Sequence, residues 1–114
     1  TFALFGPDRV ILVSDSMMAT GMPNGSYKLG DLNVTMKDRK ATLEDGTLAG
    51  SATDLYDCMR CAVSFGVPRE HAIWAATRNP AKSIGIYDRV GSLTPGKEAD
   101  VLLVDEDLKL CRVI

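Results

Sequence analysis

Histidine is nearly missing from this chain. Its 114 residues carry one, His71, together with three cysteines, Cys58, Cys61 and Cys111. A lone imidazole makes no metal centre by itself. An odd number of thiols with no secretory signal argues against a disulfide framework and for a reducing compartment, taken here as cytoplasmic. Surplus charge is also absent: 13 Lys and Arg against 15 Asp and Glu leave a net charge of −2. That removes the electrostatic case for nucleic acid or an anionic membrane as partner. No apolar stretch approaches the ~18 residues that a membrane span needs. What is present, 46% apolar and 25% charged residues, is the composition of a globular protein, long enough for one domain with a core. The chain opens on Thr1 without an initiator methionine, and Thr1-Phe2-Ala3-Leu4-Phe5 reads as the end of a helix. A fragment of a longer protein is therefore expected.

The most informative stretch is Val10-Ile11-Leu12-Val13-Ser14-Asp15. Four consecutive apolar residues predict a strand buried on both faces, since a strand wetted on one face would alternate. The run stops at a carboxylate, Asp15, followed by the small-residue loop Met17-Met18-Ala19-Thr20-Gly21. Parallel sheets and barrels place their chemistry at the C-terminal ends of such strands. The competing reading is that Asp15 only caps a turn or short helix.

Further along, Tyr27–Leu29, Leu32–Met36 and Ala41–Leu43 read as short strands separated by Gly30-Asp31 and Lys37-Asp38-Arg39-Lys40. Leu32, Val34 and Met36 alternate with Asn33 and Thr35, so one face of this sheet is wet. Ser51-Ala52-Thr53-Asp54 has the form of a capping box that starts a helix, which Gly66 stops. Pro68 opens the next helix, with Ala72, Ile73, Ala75 and Ala76 on its apolar face, ending before Asn79-Pro80. A short helix over Ala81–Ile84 follows. Val101-Leu102-Leu103-Val104 is a second run of buried type, Asp105-Glu106-Asp107 a loop or hairpin turn, and Leu108–Val113 a last strand.

Other residues have bland readings. Cys58 and Cys61 share a helical face and lack a second pair to complete a site. His71 reads as surface and Trp74 as packing. Met17 and Met18 either line a pocket mouth or fill gaps.

Taken in order, Val10-Ile11-Leu12-Val13-Ser14-Asp15, Asp45-Gly46-Thr47-Leu48-Ala49-Gly50-Ser51, Asn79-Pro80-Ala81 and Pro95-Gly96-Lys97-Glu98-Ala99-Asp100 resemble the C-terminal part of the N-acetylglucosamine-6-phosphate deacetylase family, within the amidohydrolase superfamily. The resemblance covers nearly the whole chain. It implies an α/β fold: the C-terminal fragment of a (β/α)₈ barrel plus part of a small β-sandwich. Residues 1–93 would supply the last barrel strand, a β insertion and the last helices, and residues 94–114 the sandwich strands. A whole barrel takes ~250 residues, more than this chain has.

The implied reaction removes the N-acetyl group of N-acetylglucosamine 6-phosphate, giving glucosamine 6-phosphate and acetate. Such chemistry needs an activated water, a polarised carbonyl and a proton for the departing amine. By the resemblance Asp15 is the proton-handling carboxylate, and the backbone of Leu48, Ala49 and Gly50 lines the sugar site. A divalent metal, zinc or iron, is implied for the full-length enzyme, with ligands that match no residue here. The isolated chain is therefore expected to be inactive. The partners implied are an amino-sugar phosphate and a second copy of the enzyme in a dimer. Two other readings stay open: a different amidohydrolase, such as a deaminase or cyclic amidase, and a non-catalytic β-rich interaction domain.

Overall fold

A computed structural model describes residues 1–114 as a mixed α/β chain with four α-helices and six strands. Packing divides it into two compact units, Val13–Cys58, and Thr1–Leu12 together with Met59–Ile114.

Val13–Cys58 is built on a four-stranded antiparallel sheet, β1 (Gly25–Leu29), β2 (Leu32–Lys37), β3 (Lys40–Leu43) and β4 (Leu48–Ser51), in that spatial order. Period-two alternation sorts most of β2 as expected: Val34 and Met36 are buried while Asn33 and Thr35 are exposed, but Leu32, at the start of the strand, is exposed as well. Met36 stands opposite Ala41, and Val34 opposite Leu43 and Tyr27. Met17 and Ala19, from the loop after Asp15, join Val34, Met36, Ala41 and Ala52 in one apolar cluster.

The β2–β3 hairpin turns on Asp38 and Arg39, both left-handed at φ 50° and 63°. This is the mirror-type two-residue turn that matches strand twist. Asp38 is held by the Asn24 side chain, whose Oδ1 accepts from the Asp38 amide at 2.9 Å. Arg39 is held by an ion pair with Asp57.

Strand β4 corrects an expectation. Leu48–Ser51 is not a lead-in to a helix, and Ser51 is not its cap. Ser51 lies in the sheet, and its hydroxyl accepts from the Thr53 amide at 3.2 Å in a local turn. The cap is Asp54, whose Oδ1 accepts from the Asp57 amide at 2.8 Å, and α2 runs Leu55–Ser64. Either residue has cap chemistry. Pairing with a distant segment takes Ser51 out of contention. The C-terminal stop is as expected: Gly66, at φ 90°, donates to Val63 O and Val67 to Ala62 O. That closure needs a left-handed residue, which glycine supplies without a Cβ penalty.

In the other unit, α1 (Phe2–Phe5) leads into a 3₁₀ turn at Pro7–Arg9. Helix α3 (Arg69–Ala76) starts after Pro68, as expected, and buries Ala72 and Ala75. Helix α4 (Arg78–Ser83) begins earlier than expected, because Asn79-Pro80 falls inside its first turn, where a missing N–H goes unnoticed. Asn79 is buried, and its amide donates to Pro7 O at 2.7 Å and Val10 O at 2.8 Å. Arg78 pairs with Asp8 and lies 3.9 Å over the Trp74 ring. His71 is not a free surface side chain. It is half-buried, 5.4 Å from Trp74.

The turn at Pro95-Gly96-Lys97-Glu98 acts as a clasp. Lys97 Nζ donates to the Tyr87 carbonyl and lies over the Tyr87 ring, while Glu98 pairs with Arg89 at 2.5 Å. The chain ends in a hairpin of β5 (Leu102–Val104) and β6 (Leu110–Val113).

Both runs expected to be buried strands depart from that reading. Val10 is buried, but Val13 is 74% exposed, and no strand is assigned before Gly25. In β5, Leu102, Leu103 and Val104 all stay exposed. A continuous apolar run is buried on both faces only when neighbouring strands or helices cover it, and no strand of this chain pairs along Val10–Val13.

Candidate active site

Asp15 follows the Val10–Val13 run at a sharp change of backbone direction, left-handed at φ 52°. Aspartate tolerates this conformation better than most residues, yet it costs about 1 kcal/mol and persists only where neighbours fix it. Three backbone and side-chain bonds do so. Ser51 N donates to Asp15 O at 3.1 Å, and Met17 N donates to Ser51 O at 2.9 Å. Thr20 Oγ1 donates to the same Ser51 carbonyl at 3.2 Å. Ser16 and Ser51 thus form a parallel bridge, the one pairing this segment makes. The Asp15 side chain itself is exposed.

Strand β4 is therefore the element that holds Asp15. The three residues expected to meet a sugar, Leu48, Ala49 and Gly50, are the ones that precede Ser51 in it. Leu48 is exposed, and Ala49 packs partly against the sheet core. Gly50 has φ 139°, and a Cβ there would stand 3.6 Å from Met17 Cβ and 3.8 Å from Asp15 O. There is space for that atom but not an easy backbone angle, so glycine leaves the main chain bare at this one position beside the Asp15 carbonyl. The sequence elements 15 and 48–50, over thirty residues apart, meet in one place.

The Ser51 N–H is already used by Asp15, and α2 begins beyond Asp54, which caps it. Met17 is core and Met18 is exposed, so Met17 is a gap filler. An open groove of about 600 Å³ lies nearby in the same unit, lined by Thr20, Met22, Met36, Asp38, Arg39 and Asp54 among others. Neither Asp15 nor Leu48–Gly50 lines it.

No three His, Cys, Asp or Glu side chains converge, and His71 is engaged with Trp74. All three cysteines are free thiols. No helix is long and apolar enough to cross a membrane. Ser16 and Thr53 were not evident as contributors from sequence, because their bond joins positions 37 residues apart.

The profile of the Amidohydrolase family matches residues 9–113. This chain belongs to the amidohydrolase family. An N-acetylglucosamine-6-phosphate deacetylase of Bacillus subtilis (strain 168) is 38% identical over 97% of the chain and 29% of its own length. An N-acetylgalactosamine-6-phosphate deacetylase of Escherichia coli O157:H7 is 36% identical over 93% of the chain and 28% of its own length. Among solved structures, the D267A mutant of the Mycobacterium smegmatis N-acetyl-D-glucosamine-6-phosphate deacetylase, in complex with N-acetyl-D-glucosamine 6-phosphate, superposes with a TM-score of 0.87 at 34% identity. It is covered over 99% of this chain and 31% of its own. The chain thus spans about 30% of the length of each of these three relatives.

Proposed function

We propose that this chain is the C-terminal part of an amidohydrolase that cleaves the N-acetyl group of N-acetylglucosamine 6-phosphate, releasing acetate and glucosamine 6-phosphate. One observation carries the reading: left-handed Asp15 is bonded, backbone to backbone, to the strand that contains Leu48, Ala49 and Gly50. An exposed carboxylate whose own backbone is joined to the strand of Leu48, Ala49 and Gly50 meets two needs of amide hydrolysis. It takes a proton from the attacking water and returns it to the departing nitrogen. The main chain of 48–50 orients the sugar so that the acetyl group stays within reach of that carboxylate.

The supporting relatives, named as deacetylases of amino-sugar phosphates, span both glucosamine and galactosamine epimers. The gluco epimer leads because relatives named for it come from bacteria and animals alike.

Residues 1–93 on this reading complete a hydrolase barrel, and 94–114 belong to a small β-sandwich. The divalent metal, zinc or iron, takes its ligands on this reading from outside these 114 residues, among which no three His, Cys, Asp or Glu side chains converge. The working form is a cytoplasmic homodimer, in keeping with three free thiols. The test is acetate release by the full-length protein from both sugar phosphates. Turnover at least ~10-fold faster on the gluco epimer is expected. Equal or faster turnover on the galacto epimer reassigns the substrate, and deamination or ring opening without acetate release replaces the reaction.

A further inference from the structure

We propose that Ser16 is a positioning residue for Asp15, an inference that rests on the catalytic reading of Asp15. The Ser16 hydroxyl lies 2.6 Å from the Thr53 carbonyl oxygen and 2.8 Å from the Ser14 hydroxyl. It has one proton, and a carbonyl can only accept. That proton is shared between the Thr53 carbonyl, on the shorter contact, and the Ser14 hydroxyl oxygen, both of which accept from it. Ser14 and Ser16 flank Asp15 in sequence, so the Ser16 hydroxyl ties the residue before Asp15 to the residue after it and to the main chain just after β4.

This lock complements the backbone ladder. Ser51 N to Asp15 O and Met17 N to Ser51 O fix the peptide planes before and after Ser16. The Ser16 to Thr53 bond adds a third point, across 37 residues of sequence. Three points define an orientation where two leave a rotation free. The bonds fall at residues 15, 16 and 17, around the one left-handed residue of the segment. Without the Ser16 hydroxyl, Asp15 can relax toward an ordinary backbone angle and swing its carboxylate out of line. Small misplacements of a reacting group are expensive in rate while leaving substrate binding nearly intact.

The test uses the full-length protein with Ser16→Ala and Ser16→Thr. On N-acetylglucosamine 6-phosphate, Ser16→Ala is expected to lower kcat about 10-fold with KM within twofold and the melting temperature unchanged. Ser16→Thr, which keeps the hydroxyl, recovers kcat to within about threefold. A kcat within twofold of wild type for Ser16→Ala overturns the proposal. So does a loss that tracks the melting temperature and is not recovered by threonine. Amide hydrogen exchange gives a readout independent of activity: Met17 and Ser51 are expected to exchange about fivefold faster in Ser16→Ala. Unchanged exchange overturns the lock. A wild-type protein without deacetylase activity overturns the catalytic reading instead, leaving the exchange result to decide the Ser16 bond.

Discussion

The two compact units are held together by different means. Val13–Cys58 has a side-chain core in which Val34, Met36 and Ala41 from the sheet meet Met17 and Ala19 from the Asp15 loop. The unit made of Thr1–Leu12 and Met59–Ile114 buries mainly alanines, Ala72, Ala75 and Ala81, with Val10, Met59 and Leu108. It relies on side chains that bond backbone carbonyls, Asn79 on Pro7 and Val10, and Lys97 on Tyr87. Its terminal hairpin leaves Leu102, Leu103, Leu110 and Val113 between 45% and 63% exposed. The candidate carboxylate thus sits in the unit with the continuous apolar core. Packing there fixes the loop after Asp15 through Met17 and Ala19, so the geometry of the candidate site and sheet stability share residues.

The contrast breaks most easily at Met36 and Leu103. Met36→Ala removes a buried side chain and is expected to cost about 2–5 kcal/mol. Leu103→Ala, at a half-exposed position, is expected to cost about 0.5 kcal/mol or less. Denaturant unfolding of both variants gives the comparison. Equal costs would mean that the hairpin face is covered in solution as thoroughly as the sheet core.

Next in size is Asn79→Ala. It strips the Pro7 and Val10 carbonyls of a buried donor and is expected to cost about 1–3 kcal/mol. A cost below about 0.3 kcal/mol would show that alanine packing alone holds that unit.

The smallest effect is a titration. The Thr47 amide and hydroxyl beside Asp45 hold its carboxyl below the ordinary value of 3.8. The folded value lies under the unfolded one. Its contribution is therefore present above the unfolded value and is lost as pH falls through the folded one. Asp45 is fully exposed, so the β3–β4 turn gains little from it. An NMR titration midpoint at or above 3.8 would contradict this.

Much of the sheet was legible because its signals are local. The alternation of Val34 and Met36 with Asn33 and Thr35, and the Gly66 and Pro68 boundaries, each follow from residues a few positions apart. What was not legible depends on distant partners. Ser51-Ala52-Thr53-Asp54 reads as a helix cap until Asp15 claims the Ser51 amide. Asn79-Pro80 reads as a break until the Asn79 amide is seen closing on Pro7 and Val10. The apolar runs at 10–13 and 101–104 state what they are made of, not what covers them. At the candidate site, the resemblance singled out Asp15 and Leu48–Gly50. The hydroxyls of Ser14 and Ser16 went unnoticed because serine beside aspartate is ordinary in any turn.

The most direct measurement is turnover of N-acetylglucosamine 6-phosphate by full-length Asp15→Asn, with folding checked by circular dichroism. Loss of the proton-transferring carboxylate from an intact fold is expected to cut kcat at least ~10²-fold. A folded variant that retains near-normal kcat would remove Asp15 from the chemistry and leave β4 holding a merely structural turn.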